Sequence, residues 1–141
     1  MEFPNSYENF PEGTYGYIYE TIHLPTNRKY IGKKALIYNT KKKLSKKELN
    51  EWTGRGRPPA HKIVQKESDW LGYYGSHEFI KTSIKNGKQS EFQRKILQLA
   101  FSKKELTYLE NKWLFSQAVL EKEEYLNDNI EGRYFKKDFG F

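Results

Sequence analysis

Three small sets of residues in this 141-residue chain have types and spacings that could do chemistry. Glu110 lies in "SKKELTYLENKWLFSQAVLEKEEYL" (102–126), which reads as one long helix opened by a Ser102-x-x-Glu105 capping box. At 100° per residue, Leu106, Leu109, Trp113, Gln117 and Leu120 fall in one arc about 100° wide, the breadth of a core-facing stripe. Glu110 falls at its edge. A carboxylate turned toward a core is costly unless it is paired or binds a metal. Either it snorkels or pairs with a lysine such as Lys33 or Lys34, or it is the ligand of a hard cation. Magnesium takes one or two carboxylates and keeps most of its waters.

The second set is a pair of phenols, Tyr19 and Tyr30, in "GYIYETIHLPTNRKYIGKK" (16–34). Tyrosines on strands are ordinary sheet residues. These two share one face of a hairpin, beside Lys33 or Lys34, where a phenol can hold or lose its proton more readily, as a general base for water must. The third set is Arg57 and His61, four apart at a helix start expected from Pro58 and Pro59. Arginine clamps phosphate and histidine can bond it or pass on a proton. The plainer alternative is a solvated basic loop.

These groups need elements to hold them. "YGYIYETIHL" (15–24) alternates Tyr15, Tyr17, Tyr19 and Thr21 against Ile18, Ile22 and Leu24, the period of a strand. "PTNR" turns the chain, and "KYIGKKALI" returns as an antiparallel partner. From 41 to 66 the chain is a charge-rich, mobile insertion, with Ser45 and Glu48 in capping-box spacing and Gly54 and Gly56 as breakers. Phe79, Ile80 and Ile84 predict a helix stopped by Asn86-Gly87. "EFQRKILQL" predicts a third strand. The fold expected is α/β (α+β): a small, mainly antiparallel three-stranded sheet flanked by helices in a single domain, 1–141, with a basic insertion at about 41–66.

Composition narrows the class. Lys and Arg number 25 against 18 Asp and Glu, alongside 3 Trp, 11 Tyr and 9 Phe, which suits a polyanionic partner with flat surfaces such as nucleic acid. There is no cysteine, which points away from a disulfide framework or thiolate metal site and toward a reducing compartment. No apolar run approaches the roughly 20 residues of a membrane span, and "MEFPNSYENF" lacks the pattern of a secretory leader. The expected location is the cytoplasm, that of a bacterial host if the chain is phage-encoded.

Taken in order, these features resemble the GIY-YIG endonucleases, most closely the small, stand-alone phage-type members. The resemblance runs over residues 14–130: the hairpin "GYIYETI…KYIGKK", Arg57-x-x-x-His61, "SDWLGYYGS", a helix ending in "KNG", the strand "FQRKIL" and a helix containing "LENKW". It implies a metal-dependent DNA endonuclease leaving 5′-phosphate and 3′-hydroxyl ends, with one Mg²⁺ (or Mn²⁺) per active site and duplex DNA as partner of a monomer or homodimer. Tyr19 and Tyr30 match the tyrosines of the two triplets, and Glu110 the single metal-binding glutamate. Asn127 matches the asparagine after that helix, and Arg57 with His61 the catalytic arginine and its companion. Tyr19 would be the proton acceptor and Tyr30 its support. Lys33, Lys34, Lys41, Lys42, Lys43, Arg55, Tyr74 and Asn127 are expected to contact DNA. Two departures stand out: Tyr17 occupies the position of the first triplet's glycine, with Gly16 one place earlier. Arg57 also follows Tyr30 by 27 residues rather than about ten, so an insertion is looped out and Arg55 or Lys34 are alternative cations. The rival reading is a catalytically inert nucleic-acid binding module.

Overall fold

In the computed structural model, which describes residues 2–139, the expected hairpin is the heart of the sheet. Strand β1 (Gly16–His23) pairs antiparallel with β2 (Arg28–Ala35) on one side and with β5 (Phe92–Ala100) on the other, in the order β2-β1-β5. β1 is central, and nearly every residue along it is buried. The alternation read from sequence therefore separates two apolar faces rather than an inside from an outside. Ile18 and Ile31 pack with Leu106, Leu109 and Leu114 of helix α3 (Lys103–Ser116), while Tyr17 and Tyr19 pack with Phe10, Leu36 and Trp70. Full burial of a side chain such as Ile18 contributes about 1.5–3 kcal/mol.

Gly16 explains the first displaced triplet. A Cβ there would lie 2.5 Å from the Lys34 carbonyl oxygen and 2.9 Å from Leu106 Cδ2, so only glycine lets α3 approach β1 at this point. The helix expected after "HEFIK" is α2 (Glu78–Lys85), capped by His77 and stopped at Asn86, with Gly87 at φ +79°. α3 is capped by Ser102 as read, but it ends at Ser116 rather than running to Leu126. Ala118 adopts φ 50°, ψ 46°, a left-handed conformation that costs roughly 1–2 kcal/mol. The reversal brings Val119 and Leu120 into the Ile18 core, a gain that outweighs the strain.

The chain clusters into two compact units. One comprises everything up to Leu36 with everything from Asp69 onward; the other is Ile37–Ser68. The second unit corrects a reading. Residues after Pro58 and Pro59 do not start a helix but lead into β4 (His61–Glu67), which pairs antiparallel with β3 (Ile37–Lys43). Ile63 and Val64 are β-branched, and the backbone of "HKIVQKE" finds its hydrogen-bond partners on β3, which a short first-turn proline motif cannot offset. Between the strands sits α1 (Lys46–Asn50), with the Ser45–Glu48 capping box formed as read. Lys62 reaches across to Glu48, and that hydrogen bond chiefly holds the Glu48 carboxyl down to about 2.

Charge divides unevenly between the units. Ile37–Ser68 contains nine of the chain's 25 Lys and Arg but three of its 18 Asp and Glu, an excess of six of the total seven. The remainder of the chain is close to neutral. No helix among the described residues is long and apolar enough to cross a membrane.

Candidate active site

The site begins at the free edge of β2. Strand pairing to β1 consumes the N–H and C=O groups of alternate residues, leaving those of Lys29, Ile31 and Lys33 turned outward. An unpaired edge invites pairing with another chain. Here the outward groups of Lys29 and Ile31 are taken. The Lys29 N–H donates to the Glu124 carbonyl at 2.8 Å and its C=O accepts from the Leu126 N–H at 2.6 Å. The Ile31 N–H donates to Asn127 Oδ1 at 3.1 Å, and Asn127 Nδ2 donates to the Ile31 carbonyl at 2.8 Å. The Lys33 backbone N–H lies close enough to the Glu110 carboxylate to favour its charged form. Asn127 thus completes the strand edge, and Glu110 lies beside it.

Glu110 is half-buried. Burial pushes its carboxyl above the usual range, with the Glu131 charge adding to the rise, while the Lys33 charge and backbone N–H oppose it. It borders a cleft of about 570 Å³ also lined by Tyr30, Ser76, His77, Asn127 and Glu131. Among the described residues lining that cleft, Glu78, Glu110, Asp128 and Glu131 are acidic and none is Lys or Arg. A phosphodiester would be repelled from such a site unless positive charge were supplied to it.

The two phenols stand in a different order from the one expected. Tyr30 borders the cleft, its hydroxyl 2.5 Å from Ser76 Oγ, and burial raises it above the usual phenol range while the Ser76 hydrogen bond opposes the rise. Tyr19 lies behind it, 1% exposed, with ring centroids 6.3 Å apart and with no hydrogen-bond partner for its hydroxyl. Burial pushes Tyr19 well above the usual phenol range. Both phenols therefore keep their protons at neutral pH, the opposite of the shift expected from a nearby lysine. Gly32, the glycine of the second triplet, is required here: a Cβ on it would lie 2.6 Å from the Tyr19 hydroxyl oxygen and 3.0 Å from Tyr30 Cε1.

The other residues singled out fall into two groups. Lys33 Nζ donates to Thr107 Oγ1 at 3.1 Å, and Lys34 Nζ donates to Asp69 Oδ1 at 2.6 Å while lying 4.0 Å from the Tyr73 ring centroid. Tyr74 accepts at its hydroxyl from Gln89 Nε2 at 2.9 Å, and its ring lies 4.0 Å from the Arg94 guanidinium. Asn127, 4% exposed, has its amide engaged on both sides by Ile31. Arg57, His61, Lys41, Lys42, Lys43 and Arg55 belong instead to the Ile37–Ser68 unit, where all six are exposed, with His61 and the three lysines on the strands.

Ser76 and His77 were missed by the sequence reading, although "YGS" was in view. His77 Nδ1 accepts from the Phe79 N–H at 3.1 Å as the cap of α2, and its Nε2 lies 3.3 Å from Asp128 Oδ2. A histidine immediately before a helical pattern was the available signal. No group of three or more His, Cys, Asp or Glu suited to a metal is present among the described residues. A half-buried carboxylate with a second one close by still fits a hydrated hard cation, which needs only one or two such ligands.

The family model described as "Putative endonuclease segE, GIY-YIG domain" matches residues 2–130. Neither curated proteins nor solved structures give a significant match.

Proposed function

Because the chain belongs to the GIY-YIG endonucleases, a family of phosphodiester hydrolases that act on DNA, we propose that it cuts duplex DNA at the acid-lined cleft between Tyr30 and Glu110. The observation that carries the proposal is the convergence on that cleft of a half-buried carboxylate and a hydrogen-bonded phenol, with a partnerless buried hydroxyl behind them. Glu110, with Glu131 near it, would hold one Mg²⁺ or Mn²⁺. When bound, such an ion supplies the positive charge that the cleft lacks, steadies the departing 3′-oxygen and favours a phenolate over a phenol.

Tyr19 and Tyr30 act as one proton-handling pair. With the ion bound, Tyr30, oriented by Ser76, would release its own proton to solvent and, as the phenolate, take the proton of the water that attacks phosphorus. The Tyr19 hydroxyl has no partner to surrender, so it can offer its hydrogen bond to the Tyr30 oxygen without giving one up. Asn127 keeps the β2 edge in place and so holds Tyr30 and Glu110 in register. Arg57 is proposed as the cation that stabilises the charge growing on phosphorus, with Lys34 as the alternative to be separated by substitution. Lys41, Lys42, Lys43 and Arg55 contribute phosphate contacts that hold the duplex. The products carry 5′-phosphate and 3′-hydroxyl ends.

The test is incubation of supercoiled plasmid with Mg²⁺, with chelator, and with the Glu110→Ala variant. Cutting that needs both the ion and Glu110 supports the proposal. Binding without cutting under every condition would instead establish the inert binding module, which the concentrated charge of Ile37–Ser68 also suits.

A further inference from the structure

The Ile37–Ser68 unit has one ribbon face that its own helix does not cover. Strand register places Tyr38/Lys66, Thr40/Val64 and Lys42/Lys62 on one side, where Thr40, Val64 and Lys62 are half-buried and Lys62 meets Glu48 of α1. The opposite side carries Ile37/Glu67 at its end and then the cross-strand pairs Asn39/Gln65, Lys41/Ile63 and Lys43/His61, these last three pairs all exposed, with Ile63 at 71%. Asparagine is disfavoured in strands, and a bare isoleucine between lysines gains nothing in water. Among the described residues, none of the six side chains in those three exposed pairs makes a hydrogen bond or ion pair. Asn39 and Gln65 thus present two adjacent amides with all their donors and acceptors unspent.

We propose that this face is a base-reading surface that lies in the DNA major groove and gives the nuclease sequence preference. The proposal rests on the DNA-cutting reading above and deepens it. A two-stranded antiparallel ribbon is among the few elements that fit the major groove, which is about 12 Å wide. Asn and Gln amides match the N6 and N7 edge of adenine, and an apolar side chain matches the thymine methyl. The six-charge excess of this unit supplies the sequence-independent attraction that such a ribbon needs. Lys41, Lys43 and His61 add donors on the same face, the first two within reach of guanine edges or phosphates.

Selection from a random duplex pool by the full chain, at about 0.15 M salt with chelator present, tests the proposal. The wild type should enrich a short motif containing adenine, preferred roughly five- to hundredfold over its substitutions. The double variant Asn39→Val with Gln65→Val removes both amides while favouring the strand, so the ribbon is retained. It should lose the adenine preference and keep its affinity for unrelated duplex within about threefold, since phosphate contacts are unchanged. Replacing thymine by uracil in the selected duplex should weaken the wild type and leave Ile63→Ala unaffected. A wild type that selects no motif, a double variant that selects the same motif, or equal competition by double-stranded RNA would each overturn base reading. Cleavage of plasmid in Mg²⁺ alongside any of these would show that the nuclease reading survives; a motif without cleavage would show the reverse.

Discussion

Asn127 and Asn39 are the same residue in two opposite circumstances. Asn127 is buried with its whole amide engaged by Ile31, and it completes a strand edge inside a nearly neutral unit whose central strand is covered on both faces. Asn39 is exposed on an uncovered ribbon in a unit that holds most of the chain's net charge. On the proposed function, the contrast places the chemistry in one unit and most of the grip on DNA in the other. One unit concentrates acids and phenols around a cleft and lacks lining cations; the other concentrates cations and buries little. On that reading, changes in the first should alter rate without affinity, and changes in the second, Arg57 apart, affinity without rate.

The largest expected effect that could break this contrast is at Glu110. Glu110→Ala should slow cleavage by about a thousandfold or more, the several kcal/mol that a metal-bound charge contributes. Duplex affinity, read by anisotropy in chelator, should hold or rise slightly. The carboxyl also gives a pH test. Burial raises it in the folded state, so the folded protein binds the proton at a pH where the unfolded chain does not. As pH falls through that raised value, stability from this group should increase while cleavage is lost, and in Glu110→Gln the stability rise should disappear.

Next come the phenols. Tyr30→Phe and Tyr19→Phe each remove one hydroxyl and little volume, so cleavage should fall roughly a hundredfold or more while melting temperature holds. Tyr15→Phe, outside both triplets, should change little. In Tyr19→Phe the melting temperature should hold or rise, because the change deletes a buried hydroxyl without a partner.

A smaller effect sharpens the other side of the contrast. Each phosphate contact adds about 0.9 to the slope of log affinity against log salt. Neutralising Lys41, Lys42 and Lys43 together to Gln should therefore flatten that slope by up to about 2.7. Single-turnover cleavage at saturating protein should stay within about twofold of wild type. An unchanged slope would put the phosphate contacts on the other unit.

The smallest expected effect is structural. Asn127→Ala leaves the Ile31 N–H and C=O without partners at the β2 edge, a loss of about 1–3 kcal/mol per group left buried. The melting temperature should drop by several degrees, and cleavage should fall with it as Tyr30 and Glu110 lose their register.

The parts of this molecule that were legible in sequence are those set by local rules. Period-two alternation marked β1, Asn86-Gly87 stopped α2, and the Ser-x-x-Glu spacing at 45 and 102 marked two helix starts that the structure forms. Glu110 was legible because a carboxylate at the edge of an apolar arc contradicts its surroundings. What escaped depended on distant partners. Pro58 and Pro59 read as a helix start because nothing local reveals that "HKIVQKE" pairs with β3 some twenty residues earlier. The early end of α3 follows from the burial of Val119 and Leu120 against β1, a tertiary gain invisible in helix propensity. Ser76 and His77 reach the cleft through chain path alone, and the order of Tyr19 and Tyr30 follows from burial on a face that alternation cannot rank.

The most direct measurement is single-turnover cleavage of an end-labelled duplex, with protein in excess, in Mg²⁺ and in chelator, for wild type and Glu110→Ala. Wild type should cut in Mg²⁺ alone and leave 5′-phosphate and 3′-hydroxyl ends, while Glu110→Ala binds the same duplex and leaves it whole. Cutting by Glu110→Ala at the wild-type rate, or by wild type in chelator, would contradict the account.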